Sequence, residues 1–158
     1  MLSVQQFTFF ENSSDFDVLI KKSCKDIESA NEVRYSDFVK NFLPIIKREK
    51  TAFILYENDS AIGYQIFLIK NGCSDFSFSY ILPEKRNNGY SYLLRDKMIN
   101  FIIDKVEKFN TTVKKTNKPS IKSLNRIIKK YNCDFKVEEF TSRNGEKYEK
   151  YTITKRSN

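Results

Sequence analysis

The hexapeptide RNNGYS, Arg86 to Ser91, is where the side chains of this sequence come closest to a recognisable chemistry. It follows an alternating apolar run that ends at Leu82 and precedes a run with helical periodicity. Its backbone N–H groups therefore fall at the open end of a helix, where no preceding turn supplies carbonyls to accept them. Such an end attracts anions, Gly89 lets a ligand approach the backbone closely, and Arg86 adds a charge-assisted donor. The chemistry this suits is the holding of a diphosphate. The segment lacks the GK[ST] ending of a Walker loop and the three glycines of a dinucleotide fingerprint, so neither of those phosphate sites is predicted. On spacing alone, a glycine easing a tight turn beside a solvated arginine explains the hexapeptide equally well.

The chain has no histidine. That removes the commonest general base, every Ser/His or Cys/His nucleophile pair and most transition-metal sites. Cys24, Cys73 and Cys133 are odd in number, widely spaced and without a CxxC pair, which predicts three reduced thiols and no metal centre. Any chemistry falls to carboxylates, Tyr, Lys, backbone groups or a cofactor. The charge is uneven: 15 Lys and Arg face 6 Asp and Glu from Lys105 onward, a local +9, against 13 and 14 before it, a local −1. The C-terminal third is either a solvated basic face or one that meets an anion.

The elements around the hexapeptide follow from periodicity. SVQQFTFF reads as a first strand, DFDVLIKKSCKDIESA as an amphipathic helix, and SDFVKNFLPIIKREK as a second helix, with Ser36 as N-cap and Pro44 kinking or splitting it. TAFILYENDSAIGYQIFLIK is a hairpin, with Gly63 permitting a bulge or close backbone approach. DFSFSYIL is the next strand, with Phe76, Phe78 and Tyr80 on one face and Asp75, Ser77, Ser79 and Ile81 on the other. Leu94, Met98, Phe101, Ile102, Val106 and Phe109 predict a long helix, TTVKK a short strand, and PSIKSLNRIIKKYN a second crossover helix burying Ile121, Leu124, Ile127, Ile128 and Tyr131. FKVEEFTS and EKYEKYTIT close the chain as a hairpin whose turn takes positive φ at Asn144 and Gly145. The sum is one α+β domain spanning 1–158, with a mixed sheet of six to seven strands and about four helices. Its strand–helix–strand passage around RNNGYS must be a right-handed parallel crossover. No run is long and apolar enough to span a bilayer, and MLSVQQFTFFENSSDF lacks the basic region and cleavage site of a signal peptide, so a cytoplasmic, soluble protein is expected.

In this setting RNNGYS resembles the RxxGx[GA] pyrophosphate loop of the GCN5-related N-acetyltransferases, the GNAT superfamily. FILYENDSAIGYQIFLI is similar to the family's second and third strands, and NKPSIKSLNRIIKKYNCDF to its downstream NxxS helix segment; the likeness runs from Thr51 to about Phe135. It implies a central sheet with a splayed parallel strand pair, and acetyl-CoA as cofactor. The pyrophosphate would lie on Arg86, Asn87, Asn88, Gly89, Tyr90 and Ser91, and the pantetheine between DFSFSYIL and TTVKK. The backbone of Tyr80 and Ile81 would pair with its amides, and Asn117 and Ser120 would flank its arm. Two departures stand out: Ser91 replaces the family's final Gly or Ala, and Leu124 stands where many relatives carry a Tyr as general acid.

The activity so implied is transfer of an acetyl group to a primary amine of a small molecule, an anionic or nucleotide-linked amino sugar among the candidates, by a direct ternary complex without a metal. Asp75 matches the strand position of a family carboxylate base, with Tyr80 and Tyr131 as further candidates for the proton chemistry and Tyr92 as a weaker one. The basic face of Lys118, Lys122, Arg126 and Lys129 suits a phosphate of the cofactor or an anionic substrate. The competing reading is a non-catalytic basic module that binds RNA or another polyanion, although no nucleic-acid motif is present. Either a monomer or a homodimer is compatible with the sequence.

Overall fold

The structure is a computed structural model that describes residues 1–7, 11, 13–29, 41, 43–49 and 51–156, without the side chains of 27–29, 75 and 76. Among these residues it has seven strands, β1 (Leu2–Gln6), β2 (Ala52–Glu57), β3 (Ser60–Lys70), β4 (Cys73–Ile81), β5 (Lys108–Lys114), β6 (Cys133–Thr141) and β7 (Lys147–Lys155). The helices are α1 (Ser13–Ser29), α2 (Leu43–Glu49), α3 (Tyr90–Ile102) and α4 (Lys118–Lys130), with a 3-10 turn at Pro83–Lys85. One sheet takes all the strands in the order β1-β2-β3-β4-β5-β7-β6. Every neighbouring pair is antiparallel except β4 with β5.

β2 and β3 form the expected hairpin, its two-residue turn carried by Asn58 and Asp59 at positive φ, the geometry that matches the strands' own twist. Next to the turn the register skips Ile62, and Gly63 then passes so close to β4 that a Cβ there would lie 2.7 Å from the Tyr80 carbonyl oxygen. The two faces of the sheet are covered by different helices. On the face of Tyr64, α1 brings the Phe16 ring edge-on at 5.5 Å and the Ser23 hydroxyl to 2.6 Å from the Tyr64 hydroxyl. On the face of Phe67, α3 packs Phe101 at 5.9 Å, and Met98 Sδ accepts from Ser77 Oγ. α4 lies alongside α3, burying Leu124, Ile127 and Ile128.

Two readings of the sequence need correction. The central helix stops at Ile102; Val106 falls in the turn after it, and Phe109 begins β5, paired with Ser74 and Ile153. An apolar residue every three or four positions continued across Asp104 and Lys105, but the run KFNTTV gains more from sheet pairing on both sides than from another helical turn. The last hairpin turns on one positive φ, at Gly145, while Asn144 acts through its side-chain oxygen, which accepts from the Glu146 amide. Pro44 sits in the first turn of α2, where its missing N–H is harmless, as expected if the proline splits the helical run instead of kinking one continuous helix. Ser36 lies outside the described residues.

Candidate functional site

β4 and β5 are joined only at Cys73 with Lys108 and at Ser74 with Phe109. Beyond that point β4 stays paired with β3 as far as Ile81, and β5 stays paired with β7 as far as Lys114, so the two parallel strands diverge. The divergence begins at a bulge. Leu68 pairs with Phe76 and Ile69 with Ser74, which leaves Asp75 as the extra residue of β4, and such an insertion bends the strand that carries it. A gap bounded by unpaired backbone thus opens in the middle of an otherwise continuous sheet.

The gap leads into a cleft of about 680 Å³. Ser79 and Ile81 line it from β4, Asn87, Gly89, Tyr90 and Ser91 from the loop and first turn of α3, and Asn117 and Ser120 from the start of α4. Two helix N-termini therefore share one cavity, each presenting the positive end of a helix of 13 residues. At the first, Asn87 and Gly89 adopt φ of 67° and 77°, and Gly89 caps α3 without any side-chain hydrogen bond. No hydrogen bond from the amides of Asn87, Asn88 or Gly89 occurs among the described residues. Asn88 instead folds its side chain back, donating to the carbonyls of Lys85 and Arg86 and fixing the loop. At the second terminus the Asn117 side-chain oxygen accepts from the Ser120 amide at 3.2 Å, so Asn117 is the N-cap of α4.

Among the described residues five cations line the cleft, Lys85, Arg86, Lys118, Lys122 and Arg126, and no carboxylate does. Arg126 lies 4.1 Å over the Tyr92 ring. Lys118, Lys122 and Arg126 have no carboxylate partner among the described residues. Elsewhere in the C-terminal third five cations are paired, Lys114 with Glu146, Lys115 with Glu139, Lys130 with Asp96, Lys155 with Asp104 and Arg156 with Asp134, and the others are exposed without an ion pair among the described residues. Part of the excess charge counted in the sequence thus stands at the cleft, as Lys118, Lys122 and Arg126, and the rest is spread over the exposed surface. Lys129 is not among the lining residues.

Arg86 does not extend freely into this space. Its Nε donates to the Ile81 carbonyl at 3.0 Å and its Nη2 lies 3.4 Å from Asp26, a residue of α1. The same Asp26 oxygen accepts from the Tyr80 hydroxyl at 2.6 Å. Burial, reinforced by this hydrogen bond to a carboxylate, holds the Tyr80 phenol well above its ordinary pKa, so it stays protonated at neutral pH. The Tyr80 side chain lies on the α1 face of the sheet beside Tyr64, opposite to the cleft lined by Ser79 and Ile81. Lys85 and Tyr90 both bond Glu57, which ties the two ends of the loop to β2.

Of the residues singled out in the sequence, the structure gathers Ile81, Arg86, Asn87, Gly89, Tyr90, Ser91, Asn117 and Ser120 around one cleft. Tyr131 stands elsewhere: it caps the C-terminus of α4 and donates to Asp96. Asp75 is placed by its backbone at the bulge where the strands part, and its side chain lies outside the described ones. Asp26, Lys85 and Arg95 were missed. Arg95, on α3, is 6% exposed and donates to the Ser120 carbonyl and hydroxyl at 3.0 Å each. Burial alone lowers its pKa to about 10, with no carboxylate beside it. A charged residue between Leu94 and Met98 on the buried face of a helix was the signal available for it.

A seven-stranded sheet with one parallel, splayed pair, crossed by a helix whose open end faces the gap, is the fold of the GNAT acetyltransferases. Solved structures of that class superpose along nearly the whole chain. The ribosomal-protein-S18-alanine N-acetyltransferase from Escherichia coli matches with a TM-score of 0.68 at 11% identity, covering 100% of this chain and 96% of its own. A GNAT-family acetyltransferase from Bacillus anthracis gives 0.67 at 15%, with 98% and 95% covered. The diaminobutyrate acetyltransferase EctA from Paenibacillus lautus, solved with L-2,4-diaminobutyric acid and coenzyme A, gives 0.67 at 11%, with 100% and 97% covered. No protein-family profile and no curated protein sequence matches the chain.

Proposed function

We propose that this protein transfers an acetyl group from acetyl-CoA to a primary amine of a small molecule. The observation that carries the reading is the coincidence of the splayed β4–β5 gap with a cation-lined cleft onto which two helix N-termini open. The donor set fits coenzyme A: unpartnered amides of Asn87, Asn88 and Gly89 suit a diphosphate, Lys118, Lys122 and Arg126 suit a further phosphate, and unpaired strand backbone suits the amides of a pantetheine arm. One of the similar structures holds coenzyme A with an amine, and another is named for acetylation of an alanine, which supports the same chemistry.

Acetyl-CoA bound there supplies a thioester, whose carbonyl carbon gains a bond to the acceptor nitrogen as its bond to sulfur breaks. We assign the polarising of that carbonyl to backbone N–H groups of β4 in the Tyr80 to Ile81 region that face the side not paired with β3. The acceptor nitrogen must lose one proton and the leaving sulfur must gain one. We assign the first task to the Asp75 carboxylate at the bulge. The Tyr80 hydroxyl gives its one proton to Asp26, so toward an amine that approaches from the α1 face it serves as hydrogen-bond acceptor and orients it, while Asp75 passes the proton it takes to solvent and the leaving thiolate takes one up from solvent.

Titration calorimetry with coenzyme A and an acetyl-transfer assay over a panel of primary amines test the proposal together. Saturable binding at micromolar concentration is expected, and its absence would overturn the reading. Gly89→Glu is expected to abolish binding by setting a negative charge at the amides. Gly89→Ala, which imposes only backbone strain since nothing lies within 4 Å of a Cβ there, is expected to retain it.

A further inference from the structure

Arg86 is the first residue of the loop that opens α3, yet its guanidinium reaches the α1 face of the sheet. Its backbone is fixed by its neighbours, the amide donating to the Pro83 carbonyl at 3.2 Å and the carbonyl accepting from the Asn88 side chain at 3.3 Å. The guanidinium has three contacts of its own. Nε donates to the Ile81 carbonyl at 3.0 Å, Nη2 reaches Asp26 at 3.4 Å, and Cζ lies 5.6 Å from the centre of the Tyr80 ring. Asp26 stands in the last turn of α1, where the helix dipole disfavours a carboxylate and a nearby cation offsets it. The oxygen that Arg86 approaches, Oδ2, is the one that accepts from the Tyr80 hydroxyl at 2.6 Å. One side chain thus joins the loop, the end of β4 and α1.

We propose, on the basis of the acetyl-transfer reading, that Arg86 is a positioning residue that acts through Asp26 to fix the polarity of the Tyr80 hydroxyl, and that it is not a ligand of the cofactor's phosphates. A phenol has one proton to give and oxygen lone pairs to offer, whereas a carboxylate only accepts. While Asp26 holds the proton, the Tyr80 oxygen presents a lone pair, and an amine meets it with an N–H. The nitrogen lone pair then stays free to attack the thioester. A Tyr80 proton turned toward the amine would bind that same lone pair and withhold it. Which arrangement holds depends on whether the Asp26 carboxylate stays beside Tyr80, and the guanidinium, itself anchored on the Ile81 carbonyl, supplies the charge that keeps it there. Both side chains are partly exposed, so the ion pair adds little to stability and acts through geometry. Two of the three guanidinium nitrogens are committed in this way, which leaves the diphosphate to the amides of Asn87, Asn88 and Gly89.

The test is a mutant cycle on the turnover of acetyl-CoA, with the most active primary amine of the acceptor panel as probe, run beside titration calorimetry with coenzyme A. Arg86→Met and Asp26→Ala are each expected to lower the turnover number about ten-fold and to leave the coenzyme A affinity within about three-fold of the native value. In a Tyr80→Phe background, where no hydroxyl remains to be oriented, the same substitutions are expected to cost less than about two-fold more. A purely structural role predicts losses that multiply. Losses of about ten-fold that persist in the Tyr80→Phe background would overturn the proposal. So would an Arg86→Met chain whose coenzyme A affinity falls about ten-fold while its turnover at saturation is kept, the signature of a phosphate ligand. Both results are distinct from a native chain that binds no coenzyme A, which would remove the acetyl-transfer reading and this proposal with it. Both side chains are partly exposed, so the circular dichroism spectrum of every variant should be unchanged.

Discussion

Arg95 shows what a single residue contributes when no counter-charge attends it. Its guanidinium is desolvated beneath the start of α4, bonded only to Ser120, so a negative charge in the adjoining cleft meets a cation that the protein itself leaves uncompensated. Replacing a buried charge by an apolar side chain of similar length often leaves stability intact or improves it. Arg95→Met is therefore expected to keep the melting temperature at or above that of the native chain while weakening coenzyme A binding about ten-fold, as read by thermal melting and calorimetry. Tyr80 makes the complementary case: Tyr80→Phe removes only the hydroxyl on Asp26. We expect the cofactor affinity to be unchanged and the turnover number to fall ten- to a hundred-fold, a split that steady-state kinetics reads directly. Neither Asp26 nor Arg95 stood out in the sequence, because the partners that give them meaning, Tyr80 and Ser120, are 54 and 25 residues away.

At the level of the elements, Asn117 couples the stability of α4 to the cleft. As N-cap it satisfies the Ser120 amide, and loss of such a cap costs about 1 kcal/mol, so Asn117→Ala should lower the denaturation midpoint by that equivalent. Asn117→Asp keeps the cap and adds a charge that the helix dipole favours but a bound phosphate opposes. The two readouts should therefore separate: unfolding in urea as stable as the native chain or more so, with coenzyme A binding weakened. β3 and β4 depend on a different economy of space. At Gly63 any Cβ would press on the Tyr80 carbonyl at 2.7 Å and on Ile81 Cδ1 at 2.5 Å, so Gly63→Val should destabilise the fold and disturb the strand that bounds the gap; a lowered melting temperature with impaired binding is the expected result. The hairpin and both crossover helices were legible from period and turn residues. The bulge at Asp75 was not, since strict alternation of DFSFSYIL gives no sign that one residue drops out of register.

For the molecule as a whole, the absence of histidine leaves no side chain with an ordinary pKa between about 5 and 8, and the buried tyrosines govern the alkaline limit instead. Tyr56, Tyr64 and Tyr80 are all raised above the ordinary phenol, chiefly by burial. A raised folded-state pKa means that the neutral form is favoured on folding, so this contribution is complete below about pH 10, the unfolded value, and is lost as the pH rises toward the folded ones. The melting temperature should stay level from neutrality to about pH 10 and fall above it, with phenolate absorbance appearing together with unfolding. The sequence by itself determined the order of the elements, the glycine-bearing loop that opens the central helix and the poverty of acid–base groups, because periodicity, glycine placement and composition are local properties of the chain. Only the tertiary structure decided that β4 and β5 part after two residue pairs, that β7 inserts between β5 and β6, and that Lys118, Lys122 and Arg126 join Lys85 and Arg86 at one cleft while five other cations of the C-terminal third meet carboxylates. Those outcomes depend on which strands win each other's hydrogen bonds and which carboxylates arrive beside which lysines, and such contests are settled between residues far apart in the chain.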